Sequence, residues 1–205
     1  MMENLPYFFH VVLYQPEIPE NTGAIGRTCV GVGAKLWLVR PLGFQIDQRR
    51  LKRAGLDYWP NLNWEIVDDW DHLLRRIAEE NHTTPSPDAA RGNADGASPA
   101  AASELPHHNP GTQTAEAPSQ AAARGLPGRF WFMTKRGAAD YTQTELRRGD
   151  VFVFGAESTG LPGELTETYA DRCLKIPIQP GIRCLNLSVS VGVTLFEARR
   201  QLYEA

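Results

Sequence analysis

Leu174-Lys175-Ile176-Pro177, then Ile178-Gln179-Pro180-Gly181-Ile182-Arg183, then Cys184-Leu185-Asn186-Leu187-Ser188 is the stretch that decides how this chain is read. A short apolar strand stops at Pro177, whose ring removes a ladder donor. Pro180 and Gly181 turn the chain. Asn186 or Ser188 then caps a helix that runs to about Tyr203. A counterpart lies upstream in Phe152-Val153-Phe154-Gly155-Ala156-Glu157-Ser158-Thr159-Gly160-Leu161-Pro162. It is again a buried strand, broken by glycines ahead of a helix start. Two strand-to-loop ends of this kind can form one ligand pocket at the edge of a parallel sheet.

The upstream sequence supplies the rest of such a sheet. Phe8 to Tyr14 is too short and too β-branched for a helix and reads as a buried strand. Gln15-Pro16-Glu17-Ile18-Pro19-Glu20 is expected to be a loop, with Asn21 or Thr22 capping a helix that ends near Gly31-Val32-Gly33. Lys35 to Val39 and Trp64 to Val67 are further strands, and Asp68 or Asp69 starts a helix with Trp70, Leu73, Leu74 and Ile77 on one face. Phe130 to Met133, Asp150 to Phe154 and Cys173 to Ile176 complete the strands. Strand, helix, strand in this order is a right-handed crossover by default.

From about Asn81 to Pro127 the composition shifts to Ala, Pro, Ser, Gly, Asn and Thr, and large apolar residues nearly vanish. Such a segment cannot offset its ordering entropy by burial and reads as a disordered insertion in a single domain of residues 1–205. The insertion has a net charge of −2 of the chain's −3, which leaves −1 for the remainder. A uniformly basic nucleic-acid binder is thereby excluded, and any RNA site must be a local patch. The three cysteines, Cys29, Cys173 and Cys184, lack metal-ligand spacing and fit a reducing cytoplasm better than a disulfide framework. His107-His108 lacks a third ligand, so no metal is expected. No apolar run approaches a membrane span, and Met1-Met2-Glu3-Asn4 does not open a signal peptide.

Individual residues leave alternatives open. Glu157, between two turn glycines, either faces the pocket mouth or is a solvated loop acid. Asn21 and Arg27 are separated by about 9 Å along a helix. Both can reach one substrate phosphate and sugar, or Arg27 is a surface arginine. The basic run Arg49-Arg50-Leu51-Lys52-Arg53 either contacts phosphates or forms a solvated face. The last helix carries two apolar stripes. One comprises Leu187, Val191, Leu195, Ala198 and Leu202, the other Val189, Val193 and Phe196. Burial of both requires deep packing within the chain or a second subunit.

Together these pieces resemble the SPOUT RNA 2′-O-methyltransferases. Leu13 to Arg27 looks like their first motif, Phe154 to Pro162 like their second, and Ile176-Pro177 through Asn186-Leu187-Ser188 like their third. Leu51-Lys52-Arg53-Ala54-Gly55-Leu56-Asp57-Tyr58-Trp59 is similar to a segment typical of the tRNA wobble-nucleotide branch. The resemblance implies an α/β SPOUT fold, a mostly parallel sheet flanked by helices with a C-terminal trefoil knot. It also implies a cytoplasmic homodimer that binds S-adenosyl-L-methionine and tRNA. By position, the cofactor wall falls on Met133, Gly155, Ile176, Cys184 and Leu185. The catalytic arginine falls on Arg27, and Asn21, Glu157 and Asn186 match the other polar motif positions. Arg50, Lys52 and Arg53 are the RNA-binding candidates. One departure is Cys184, where the family commonly has serine; a thiol is the poorer hydrogen-bond partner if the hydroxyl is used.

The implied reaction transfers the sulfonium methyl to the ribose 2′-hydroxyl of the wobble cytidine or modified uridine. Deprotonating an arginine is costly, since free arginine has a pKa above about 12. An electrostatic clamp on phosphate and developing alkoxide is therefore preferred to a base for Arg27. Two other readings share the motifs: the same chemistry on ribosomal RNA, and a noncatalytic RNA-binding module.

Overall fold

A computed structural model describes residues 8–45, 58–83 and 125–204. Arg50, Lys52, Arg53, His107, His108 and residues 84–124 of the expected insertion lie outside this set. Among the described residues seven strands form one sheet: β1 Phe9–Tyr14, β2 Ala34–Val39, β3 Trp64–Val67, β4 Phe130–Met133, β5 Ala139–Asp140, β6 Val151–Phe154 and β7 Cys173–Lys175. Every strand pairing is parallel, in the order β3-β2-β1-β6-β4-β7-β5. The first half grows outward from β1. The second half does not, because β6 inserts between β1 and β4, and β7 between β4 and β5.

Both faces of the sheet are covered, which explains why its strands read as continuous apolar runs rather than alternations. Side chains still alternate between faces. Phe9, Val11 and Leu13 of β1, with Leu36, Leu38, Phe152 and Phe154, enter one core. Val12 and Tyr14, with Trp37, Val39, Val151 and Val153, enter the other. Helix α1, Pro19–Val32, and the last helix α4, Leu187–Glu204, close the first core through Ile25, Cys29, Val32, Val191, Leu195 and Ala198. Helix α2, Trp70–Thr83, and the short α3, Gly163–Thr168, close the second through Trp70, Leu73, Leu74, Ile77 and Leu165. Each such fully buried Leu, Val or Phe contributes roughly 1.5–3 kcal/mol.

Two helix boundaries differ from the sequence reading. Helix α1 begins at Pro19, not after Glu20, because proline is tolerated at the first helical position, where no N–H is needed. Asn21 and Thr22 are therefore inside the helix and cap nothing. Its far end is as expected: Gly33 closes it in the left-handed region at φ 79°, its N–H donating to the Cys29 carbonyl. Helix α2 runs through Thr83, into the stretch assigned to the insertion, and Asn81 Nδ2 donates to the Pro127 carbonyl at 2.6 Å. The two-residue β5 carries no apolar pattern and was not foreseen. Only one stripe of α4 is buried in the chain; Val189 and Phe196 of the second are exposed.

Polar groups at the amino end of the sheet are paired. The fully buried Asp150 carboxylate accepts from Arg129 Nε, Trp131 Nε1 and the Arg147 N–H at 2.7–2.9 Å. Buried Lys35 lies against Glu65, Glu80 and the Trp37 ring. His10 accepts a hydrogen bond at Nδ1 from Trp37 Nε1 at 3.1 Å. Burial, aided by the Lys35 charge, pushes the His10 pKa from 6.5 down to about 4. The unfolded chain therefore takes up this proton first as pH falls. Stability from His10 is fully present above pH 6.5 and is lost between 6.5 and about 4, up to about 3 kcal/mol. Denaturant unfolding across that window is expected to show a steeper loss for the wild type than for His10→Gln, which cannot protonate. Equal slopes would mean that His10 does not control acid stability.

Candidate active site

Adjacent strands bring three sequence-assigned residues to one sheet edge. Met133, Gly155 and Ile176 stand at or just past the carboxyl ends of β4, β6 and β7. The register pairs Met133 with Phe154 and with Leu174. Carboxyl ends of parallel strands are where open α/β sheets bind ligands. Beyond them opens a cleft of about 430 Å³ lined by Pro177, Ile178, Gln179, Ile182 and Leu185. Leu185 thus lines the cleft. Its neighbour Cys184 is a free, exposed thiol.

The loop after β6 folds back so tightly that a Cβ on Gly155 would stand 2.0 Å from the Gly160 carbonyl carbon and 2.1 Å from the Leu161 nitrogen. No side chain fits there. The Gly160 N–H, from a left-handed residue at φ 74°, donates to the Ala156 carbonyl at 2.8 Å. This fold-back directs Glu157 and Ser158 toward the start of α1.

Glu157 is neither a free acid at the pocket mouth nor a solvated one. Its Oε2 accepts from the Glu17 N–H at 2.8 Å, and its Oε1 from the Ile18 N–H at 3.3 Å and Asn21 Nδ2 at 2.9 Å. Ile18 caps α1 without a side-chain bond of its own. The carboxylate that meets the helix's positive end comes from a loop 139 residues later. Glu17 returns the contact: its carboxylate accepts from the Ser158 N–H at 2.9 Å and the Ser158 hydroxyl at 2.6 Å.

Asn186 joins the third segment to this junction. Its Oδ1 caps α4 by accepting from the Ser188 N–H at 2.8 Å, the Ser188 hydroxyl at 2.6 Å and the Val189 N–H at 3.4 Å. Its Nδ2 donates to Asn21 Oδ1 at 2.9 Å. Buried Asn21 therefore bridges Asn186 and Glu157, using acceptor on one side and donor on the other. Arg183 Nη2 donates to the Ser158 carbonyl at 3.0 Å, a second tie between the two late loops.

Arg27 is exposed, two helical turns further along α1, with its guanidinium carbon 4.9 Å from the Tyr58 ring centroid. Asn21 is buried and engaged within the junction, so the two do not converge as a pair on one face. Sequence reasoning missed Glu17 and Tyr58. A Glu-x-Pro ahead of a helix gives no hint of a partner loop 141 residues away, whereas Tyr58 lay inside the segment already singled out.

The SpoU rRNA Methylase family matches this sequence over residues 8–99 and 85–196. The chain belongs to that family. A Listeria innocua relative is 36% identical over 195 residues, spanning 94% of this chain and 87% of that protein. The Methylovorus glucosotrophus tRNA (cytidine(34)-2′-O)-methyltransferase is 34% identical over 195 residues, spanning 94% of this chain and 95% of its own length. Among solved SpoU-type folds, one described for 2-OH methylation of C/U34 on tRNA superposes with a TM-score of 0.68 at 33% identity, covering 98% of this chain and all of that one. The methyltransferase AviRb of Streptomyces viridochromogenes, solved in complex with AdoMet, shares the fold with a TM-score of 0.66 at 17% identity, over 98% of this chain and 60% of that one.

The bridge sets a test at Asn21. Asn21→Ala removes a donor and an acceptor and is expected to cost about 1–3 kcal/mol. Asn21→Asp faces one carboxylate with another and should cost more at pH 7. In that variant the repulsion between the two carboxylates falls as protons are taken up, so stability should recover as pH falls, a recovery Asn21→Ala lacks. If both variants respond alike to pH, Asn21 does not face Glu157.

Proposed function

We propose that this SpoU-family chain methylates the ribose 2′-hydroxyl of the wobble nucleotide of tRNA, a cytidine or modified uridine at position 34, using S-adenosyl-L-methionine. The observation that carries the reading is the junction of Asn21, Glu157 and Asn186 beside the cleft. It joins the three motif segments at one sheet edge, in a chain that aligns along nearly its whole length with tRNA position-34 methyltransferases. Pro177, Ile178, Ile182 and Leu185 give the open cleft a largely apolar lining against which such a cofactor can rest. Met133, Gly155, Ile176, Cys184 and Leu185 would hold it, Leu185 from the cleft wall and Met133, Gly155 and Ile176 from the strand ends. When bound, S-adenosylmethionine supplies a methyl group already activated by its sulfonium.

The chain's own part is positioning and charge. Arg27 is the cation that holds an RNA phosphate and steadies the alkoxide developing on the 2′-oxygen. Arg50, Lys52 and Arg53 add phosphate contacts that bring the anticodon loop to the cleft. Asn21, Glu157 and Asn186 hold α1, and with it Arg27, against the cofactor loops; their polar atoms are engaged with one another and with backbone amides, so their role is to orient rather than to exchange the proton. Two architectural inferences go with this reading. A trefoil knot in the second half is supported by the insertion of β6 and β7 between earlier strands and by the backbone crossing at Gly137, whose Cβ would stand 2.3 Å from the Leu174 carbonyl carbon. A homodimer is supported by Val189 and Phe196, exposed on α4, the helix packed against α1.

A ribosomal substrate is the competing reading. Nucleoside mass spectrometry on tRNA and rRNA from a deletion strain decides between them. Loss of 2′-O-methylation at tRNA position 34, restored by the wild-type chain and with rRNA unchanged, is expected. Loss confined to rRNA would replace tRNA as substrate, and no loss in either would leave a noncatalytic module.

A further inference from the structure

We infer that Tyr58 is a positioning residue for Arg27, an aromatic plate that helps set where this cation points; the inference rests on the role proposed for Arg27 above. Three observations converge on it. The Arg27 guanidinium carbon lies 4.9 Å from the centroid of the Tyr58 ring, within cation–π range. The Tyr58 hydroxyl donates to the Gly23 carbonyl, which lies one helical turn before Arg27. Gly26, immediately before Arg27, lets the turn sit on the helix: a Cβ there would stand 3.0 Å from Leu62 Cδ2, 3.1 Å from Trp59 Cζ3 and 3.5 Å from Tyr58 Cε2.

The plate is itself anchored. Residues Trp59–Asn61 form a 3₁₀ turn, and the Asn61 N–H closes it on the Tyr58 carbonyl at 2.9 Å. Leu62 is buried in the same core as Ile25 and Cys29 of α1. Trp59 packs against Trp64 of β3 with ring centroids 5.3 Å apart. Tyr58 is thus held at its backbone by the packed turn and at its tip by a hydrogen bond. Arg27, on a long flexible stem at an exposed helix position, has many rotamers to lose when it must meet one phosphate and one alkoxide. Stacking on a rigid face narrows that choice before RNA arrives. RNA covering the pair would exclude water and strengthen the stack.

The test is single-turnover methyl transfer at saturating tRNA, with S-adenosylmethionine affinity measured alongside by calorimetry. Arg27→Ala should lose about 100-fold or more in rate. Tyr58→Leu, which keeps bulk but no ring, should lose about 10-fold, and Tyr58→Phe, which keeps the face, no more than about 3-fold. Cofactor affinity should stay within about 3-fold throughout. The deciding variant is Arg27→Ala combined with Tyr58→Leu: if Tyr58 acts through Arg27, the double variant is no slower than Arg27→Ala alone. Equal losses from Tyr58→Leu with and without Arg27 would overturn the inference and leave Tyr58 a structural residue. Should Tyr58→Leu fold poorly, phenylalanine at this position carrying one, two and three fluorines keeps the shape while emptying the ring face. The rate should fall stepwise along that series, and a flat series would overturn the inference too. A wild-type rate in Arg27→Ala would instead refute the proposed role of Arg27 itself.

Discussion

The Glu157 carboxylate at the amino end of α1 is the interaction on which the site depends. It accepts two backbone N–H groups and the Asn21 side chain. Charge-assisted bonds of this type contribute about 1.5–3 kcal/mol each, and the helix dipole adds to them. Removing the carboxylate would leave the approach to α1 without its acceptor and the Asn21 Nδ2 without the one it now meets. The reciprocal bonds from Ser158 to Glu17 make the contact two-sided. A helix from the start of the chain and a loop from its second half are thereby fixed to each other with little freedom to slide.

This junction links the fold to the chemistry proposed for it. The loop that carries Glu157 begins at Gly155, at the end of β6, and so also forms part of the sheet edge where the cleft opens. Asn186 caps α4 with one end of its amide and reaches Asn21 with the other. One hydrogen-bonded path therefore runs from the loop beside the cleft, through α1, to the helix that carries Val189 and Phe196. Arg27 stands on the same α1, on its exposed face. The cation proposed to meet an RNA substrate is thus built on a helix tied to both late loops.

Much of this architecture was legible in the sequence because apolar runs of four to six residues between helical patterns leave few alternatives to a parallel sheet. The Gly33 stop, the Asn186 cap and the core face of α2 followed from local chemistry. What was not legible depended on distant partners. Nothing local distinguishes Pro19 as a helix start from Pro19 as a loop residue when the capping acid comes from Glu157. Asn21 looked like a cap because asparagine at a helix start usually is one; its buried bridge between two later motifs depends on the tertiary fold. Family resemblance points to Met133, Gly155 and Ile176, yet their meeting at one edge depends on the β6-β4-β7 order, which no periodicity encodes. The two-residue β5 carries too little pattern to read.

Amide hydrogen exchange at Glu17 and Ile18 tests the central claim most directly. Both residues are exposed and precede the regular helix, and among the described residues Glu157 is the acceptor of both amides. Protection of both amides in the wild type, lost in Glu157→Ala while amides in the middle of α1 remain protected, is the predicted result. Unchanged exchange at Glu17 and Ile18 after that substitution would contradict the account, because the approach to α1 would then be held by something other than the second-half loop.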